Sequence, residues 1–224
     1  MLNRPLDDLF VLNTLAKMNA GNPPTFLAGL VDANKTAVVG YSMGGYGALN
    51  VAGVGVNQAA VNMVPGGQLA IRQTGNPAYA ASSDPRIRAI VALAPWGGPV
   101  FDAEGLKGLK VPALFIVGSA DTVAGYANVQ RFFEQAIHSD RYLLVFQNGA
   151  HNIAVNPTPL IATTRLPDYQ HYQEPVWDNT RCNNLNQHII TAFLGIQLKG
   201  LAYQSYLDVA TPALGLELSH RASQ

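Results

Sequence analysis

Five residues, Gly40-Tyr41-Ser42-Met43-Gly44, constrain this chain more than any others. Ahead of them runs Lys35-Thr36-Ala37-Val38-Val39, short, apolar and rich in β-branched side chains, the pattern of a buried strand. Behind them the small residues from Gly44 to Ala52 continue as a tightly packed helix. A Gly-x-Ser-x-Gly pattern between strand and helix is a sharp turn that lifts the serine hydroxyl clear of the sheet. In so tight a turn a Cβ two residues before or after the serine is expected to collide, which accounts for Gly40 and Gly44, with Gly45 extending the tolerance. Ser42 then stands at a helix N-terminus, where the backbone N–H of Met43 can meet an oxyanion. The bland alternative is a glycine-rich turn that packs helix on strand, with Ser42 capping the helix.

The rest of the chain supplies a sheet for that turn. Residues 7–18 read as an amphipathic helix, with Leu9, Leu12 and Leu15 behind an acidic start. Strands are expected over 88–93, 111–117 and 141–146, helices over 127–137 and 185–198, the last ended by Gly200. Strands alternating with helices imply an α/β fold with a mostly parallel sheet and flanking helices. Residues 56–85 and 156–183, rich in Gly, Pro, Asn and Ser, read as irregular excursions that border a pocket. With 48% hydrophobic and 12% charged residues in 224, the chain buries a sizeable core. The reading is one catalytic domain over 1–200 and a loosely held tail over 201–224.

Two further segments follow expected strands directly: Gly118-Ser119-Ala120-Asp121 and Asn148-Gly149-Ala150-His151. In a parallel sheet the C-terminal strand ends share one edge, so Ser42, Asp121 and His151 converge there. A serine hydroxyl is a poor nucleophile until a base accepts its proton; His151 is the candidate base and Asp121 the acid that fixes its tautomer. Taken singly, Asp121 equally suits a turn cap and His151 a polar loop position. His138 and His188 end or occupy helices, and His171 lies in the second excursion, so none is assigned a catalytic role. Tyr41 and Trp96 are candidates for the substrate pocket, with simple packing the alternative for both.

Several classes are excluded or left without support. Fourteen basic residues balance fourteen acidic ones, so no global field draws the chain to nucleic acid. Cys182 is the single cysteine, which rules out an intrachain disulfide, and no paired histidines with a nearby carboxylate suggest a metal. No cofactor is expected. The N-terminus lacks an apolar core behind a basic start, and no run of about 18 apolar residues occurs, so neither leader nor membrane span is expected and the cytoplasm is the default compartment.

Ala37 to Leu49, Ala94-Pro95-Trp96, Gly118 to Asp121 and Gly149-Ala150-His151 together resemble α/β-hydrolase esterases of the dienelactone hydrolase and platelet-activating-factor acetylhydrolase group. The order Ser, Asp, His is also that of the superfamily. The likeness implies a serine hydrolase cleaving small carboxylic esters through an acyl-enzyme on Ser42, although dienelactone hydrolases themselves use cysteine. A peptidase or amidase with the same triad, or a noncatalytic remnant, are the alternatives. Complete members carry several strands and a second oxyanion loop before the serine, whereas 41 residues precede Ser42. The reading is therefore a fold lacking its first strands, a strand at 36–40 left as an exposed apolar edge open to self-association, and weak or partner-dependent activity.

Overall fold

The computed structural model describes every residue except 22–23, 81–83 and 209–211. Four strands lie parallel in chain order, β1 (Thr36–Tyr41), β2 (Ile87–Leu93), β3 (Ala113–Gly118) and β4 (Arg141–Phe146). A fifth, β5 (Leu216–Arg221), pairs antiparallel with β4 and completes the order β1-β2-β3-β4-β5. This departs from the expected tail. Residues 216–224 are knit into the sheet: Arg141, fully buried, donates to the Ala222 carbonyl at 3.2 Å, and the Gln224 N–H donates to Ile137 at 2.8 Å.

The strands form because their apolar side chains alternate between two covered faces. Ile90, Ala92, Phe115, Val117, Leu143 and Val145 point into one core. Against it lie α2 (Met43–Val51), α6 (Tyr126–Gln135) and, stacked on α2, α1 (Asn3–Asn19). Val91, Leu93, Leu114, Ile116, Leu144 and Phe146 point into the other, covered by α8 (Asn179–Lys199). Cys182, Asn186, Ile189 and Phe193 make the buried stripe of α8, at spacings of four, three and four residues. Asp178 caps its start by accepting from the Arg181 N–H at 2.7 Å, and Gly200, with φ 64°, ends it in the left-handed conformation.

The two expected irregular excursions hold short helices. Between β1 and β2 lie α3 (Gln58–Met63), a 3-10 turn over Pro65–Arg72 and α4 (Pro77–Ala80). Between β2 and β3 lies α5 (Ala103–Leu106). A 3-10 turn at Leu160–Thr164, α7 (Leu166–Tyr172) and α9 (Gln204–Leu207) occupy the C-terminal third. None is longer than eight residues, too short for an apolar period to show in the sequence. β1 is an edge of the sheet among the described residues, and Val39 on it is half exposed.

Candidate active site

The turn after β1 is as tight as the sequence demands, with a correction to which glycine requires it. Ser42 sits at φ 53°, ψ −114°, strained for a residue with a side chain. Its N–H donates to the Leu93 carbonyl at 2.9 Å, and its own carbonyl accepts from the Trp96 N–H at 3.0 Å, so β2 grips the turn from the side. A Cβ on Gly40 would lie 2.1 Å from the Gly44 carbonyl oxygen. A Cβ on Gly44 would meet nothing within 4 Å, whereas one on Gly45 would press to 2.7 Å on Pro95. The steric lock therefore runs through Gly40 and Gly45; Gly44 contributes its backbone.

The structure brings Ser42, Asp121 and His151 together at the C-terminal rim of the parallel strands. His151 Nε2 stands 3.1 Å from Ser42 Oγ, and His151 Nδ1 stands 2.9 Å from Asp121 Oδ2. The other carboxylate oxygen, Oδ1, accepts from the N–H groups of Val123 (2.8 Å) and Ala124 (2.9 Å), so both oxygens of a buried acid are satisfied. Burial raises the Asp121 carboxyl, but the bond and charge of His151 and these two backbone donors together hold it below the usual carboxylate range.

The loops bearing Asp121 and His151 are pressed on one another. A Cβ on Gly118 would lie 2.1 Å from the Gly149 carbonyl and 2.4 Å from that of Ala150. The Ala120 N–H donates to Gly149 at 2.8 Å, and Ser119 Oγ accepts from the Asn148 N–H at 2.7 Å. Asn148 takes φ 58°, which Asn tolerates better than most residues.

Met43 opens α2, so its N–H belongs to the first turn, where helical donors lack intrahelical partners. Met43, Ser42, Tyr41, Val38, Arg4 and Asp8 are among the residues lining a cavity of about 440 Å³ beside the outer edge of β1. Tyr41 also reaches toward His151: its hydroxyl donates to the His151 carbonyl at 3.1 Å, with Asn152 Oδ1 at 3.3 Å. Burial, then the charges of Asp121 and Glu174, push its phenol pKa up. The Trp96 ring lies edge-on to Tyr46, 6.3 Å between centroids, and packs against the α2 side of the core.

The other four histidines are engaged elsewhere, His171 with its ring edge-on to Tyr172 at 5.4 Å between centroids. His138 faces the Lys107 carbonyl at 2.9 Å, His188 that of Tyr206 at 2.9 Å, and His220 pairs with Asp140 at 2.6 Å. Among the described residues no group of three or more His, Cys, Asp or Glu is gathered to hold a metal, and no helix is long and apolar enough to cross a membrane. Glu174, which the sequence reading passes over, is buried beside the His151 loop and accepts from the Ala150 N–H at 3.0 Å. Nothing in its local sequence marks it, because its partner is 24 residues away.

A sequence model of the PET hydrolase-like family matches residues 68–181. The matched span is half of the chain and holds Asp121 and His151, beginning after the turn with Ser42. A search of curated proteins returns no match.

Proposed function

We propose, because the chain belongs to the PET hydrolase-like family of the α/β-hydrolase superfamily, that it hydrolyses carboxylic esters through an acyl-enzyme on Ser42. The observation that carries this reading is the continuous line Ser42 Oγ, His151 Nε2, His151 Nδ1, Asp121 Oδ2, with gaps of 3.1 and 2.9 Å, ending on a serine held in a strained turn.

In the first step Ser42 Oγ attacks the ester carbonyl carbon while its proton passes to His151 Nε2. Asp121 accepts from Nδ1–H, which fixes the tautomer and stabilises the imidazolium without taking its proton. The carbonyl oxygen, now negative, is met by the Met43 N–H at the head of α2. The tetrahedral intermediate collapses, the C–O bond to the alcohol breaks, and Nε2–H delivers its proton to the departing oxygen. Water then repeats the sequence on the acyl-enzyme: His151 takes one water proton, the hydroxyl adds to the acyl carbon, and Ser42 leaves with the proton returned. The products are one carboxylic acid and one alcohol per turnover.

Substrate enters from the cavity along the outer edge of β1, the face that Ser42, Tyr41 and Met43 share. The family's name suggests a terephthalate ester as a first candidate beside simple alkyl esters. The test is Ser42→Ala, with p-nitrophenyl butyrate and bis(2-hydroxyethyl) terephthalate as substrates and a fluorophosphonate probe as label. Loss of both hydrolysis and labelling is expected. Retained hydrolysis, or labelling of another residue, would refute the assignment.

A further inference from the structure

His151 sits on a loop without helix or strand, between β4 and the 3-10 turn at Leu160, yet its ring must hold two contacts at once. The backbone of that loop is held at the base itself and at the residues on either side. The His151 carbonyl accepts from the Tyr41 hydroxyl at 3.1 Å. The Ala150 N–H donates to Glu174 Oε1 at 3.0 Å. Asn152 lends Oδ1 to the same tyrosine hydroxyl at 3.3 Å and donates through Nδ2 to the carbonyls of His171 (3.0 Å) and Gln173 (2.8 Å).

Tyr41 and Glu174 suit this task in ways that packing alone does not explain. Tyr41 immediately precedes Ser42, so the strand end that sets the nucleophile also sets the loop of the base. Its ring lies 5.1 Å from the His151 ring, tilted by 33°. Burial and two nearby carboxylates keep its phenol protonated, and therefore a donor. Glu174 is 4% exposed and among the described residues makes no ion pair shorter than 4 Å; Oε1 takes the N–H groups of Ala150 and, at 3.4 Å, Val176, while Oε2 has no hydrogen-bond partner among those residues. Leaving a buried carboxyl half satisfied costs stability, which sets Glu174 apart from an ordinary packing residue.

We propose that Tyr41 and Glu174 are positioning residues that hold the His151 backbone, Tyr41 at its carbonyl and Glu174 at the preceding amide, so that the imidazole bridges Ser42 and Asp121. The inference rests on the hydrolytic reading above. Neither residue touches the reacting atoms; both act through the loop, whose displacement by about 1 Å would cost catalysis on the order of a hundredfold.

The test compares Tyr41→Phe, Glu174→Ala and Glu174→Gln in the full chain. Tyr41→Phe keeps the ring and loses the strap; kcat should fall roughly ten- to hundredfold with KM little changed. Glu174→Ala should act likewise, and Glu174→Gln, which keeps a carbonyl acceptor for Ala150, should recover most of that loss. Amide hydrogen exchange by mass spectrometry should speed up in residues 148–152 in Tyr41→Phe. The control is Tyr79→Phe, whose lost hydroxyl bonds the carbonyls of Asn50 and Val54; it should lower Tm without moving kcat or the exchange of 148–152. If Tyr41→Phe keeps both kcat and the wild-type exchange, or raises KM alone, the proposal is overturned. The exchange measurement needs no turnover, so it judges the strap even if Ser42→Ala were to sink the hydrolytic reading, and Tyr41→Phe and Glu174→Gln keep the test open if Glu174→Ala fails to fold.

Discussion

The glycines of the turn after β1 offer a sharp quantitative test, because the structure ranks Gly40, Gly44 and Gly45, three positions that the sequence treats nearly alike. Replacing Gly40 by Ala would put a Cβ 2.1 Å from the Gly44 carbonyl oxygen and 2.7 Å from the Gly45 nitrogen, far inside the 3.4 Å at which ordinary contact begins. Both obstacles are backbone at the head of α2, so relief requires moving the helix away from β1. Overpacking of that kind costs about 3 kcal/mol or more, which in a domain of this length lowers Tm by roughly 6–12 °C. Gly45→Ala meets the Pro95 Cβ at 2.7 Å and Cα at 2.8 Å, where the loop after β2 can yield a little, so a loss of about 2 kcal/mol is expected. Gly44→Ala meets nothing within 4 Å and has no positive φ, so it should gain up to about 1 kcal/mol in helix propensity. Thermal unfolding by circular dichroism at matched concentration reads all three. A Gly44→Ala protein destabilised as much as Gly40→Ala would refute the reasoning, since it would show that the motif, rather than the contacts around each position, sets the cost.

Three further outcomes follow from the site and its surroundings. Asp121→Asn should lower kcat by about 10⁴-fold through loss of the acceptor that fixes the His151 tautomer. Because the folded Asp121 carboxyl ionises more readily than the free group at 3.8, its ionised form stabilises the fold above that pH, and the stability gap between wild type and Asp121→Asn should close as pH falls through the lower folded value; a gap that widens in acid would contradict this. At the outer edge of β1, where Val39 is half exposed, self-association is expected to raise the apparent mass in light scattering as concentration increases, and Val39→Lys should abolish the rise; an equally concentration-dependent mass in the variant would remove β1 from consideration.

How much of this was legible in the sequence depends on how local each cause is. β2 to β4 announce themselves because strands buried on both faces read as continuous apolar runs such as Val111-Pro112-Ala113-Leu114-Phe115-Ile116-Val117, and β1, an edge strand, shows through its β-branched run ahead of the glycine-flanked serine. The positions of Asp121 and His151 follow from the same strands, since each comes within a few residues of a strand end. β5 stays hidden because Leu216-Glu217-Leu218-Ser219-His220-Arg221 offers two apolar residues in alternation, and its place is decided by pairing with β4 some 70 residues earlier. The lock at Gly45 depends on Pro95, and the strap at Tyr41 on His151, 110 residues on. Such contacts are properties of the assembled rim, and no window of sequence contains both halves.

That rim also concentrates backbone strain. Among the described residues three without a glycine's freedom take positive φ: Ser42 at 53°, Ala94 at 41° and Asn148 at 58°, each within two residues of the C-terminal end of β1, β2 or β4. Each such conformation costs of the order of 1–3 kcal/mol, and persists where its surroundings over-determine it. Here they do: Ser42 is bonded to Leu93 and Trp96, the Ala94 N–H donates to Ile116 at 2.6 Å, and the Asn148 N–H donates to Ser119 Oγ. Ala94 carries no reactive group, yet it starts the Ala94-Pro95-Trp96 turn whose Trp96 N–H grips Ser42 and whose Pro95 blocks a Cβ at Gly45. Its strain is therefore spent on the neighbour's geometry. A parallel sheet covered on both faces is stiff enough to hold three bent strand ends in register, and that stiffness is what lets a serine, a histidine and an aspartate from distant parts of the chain meet at hydrogen-bonding distance.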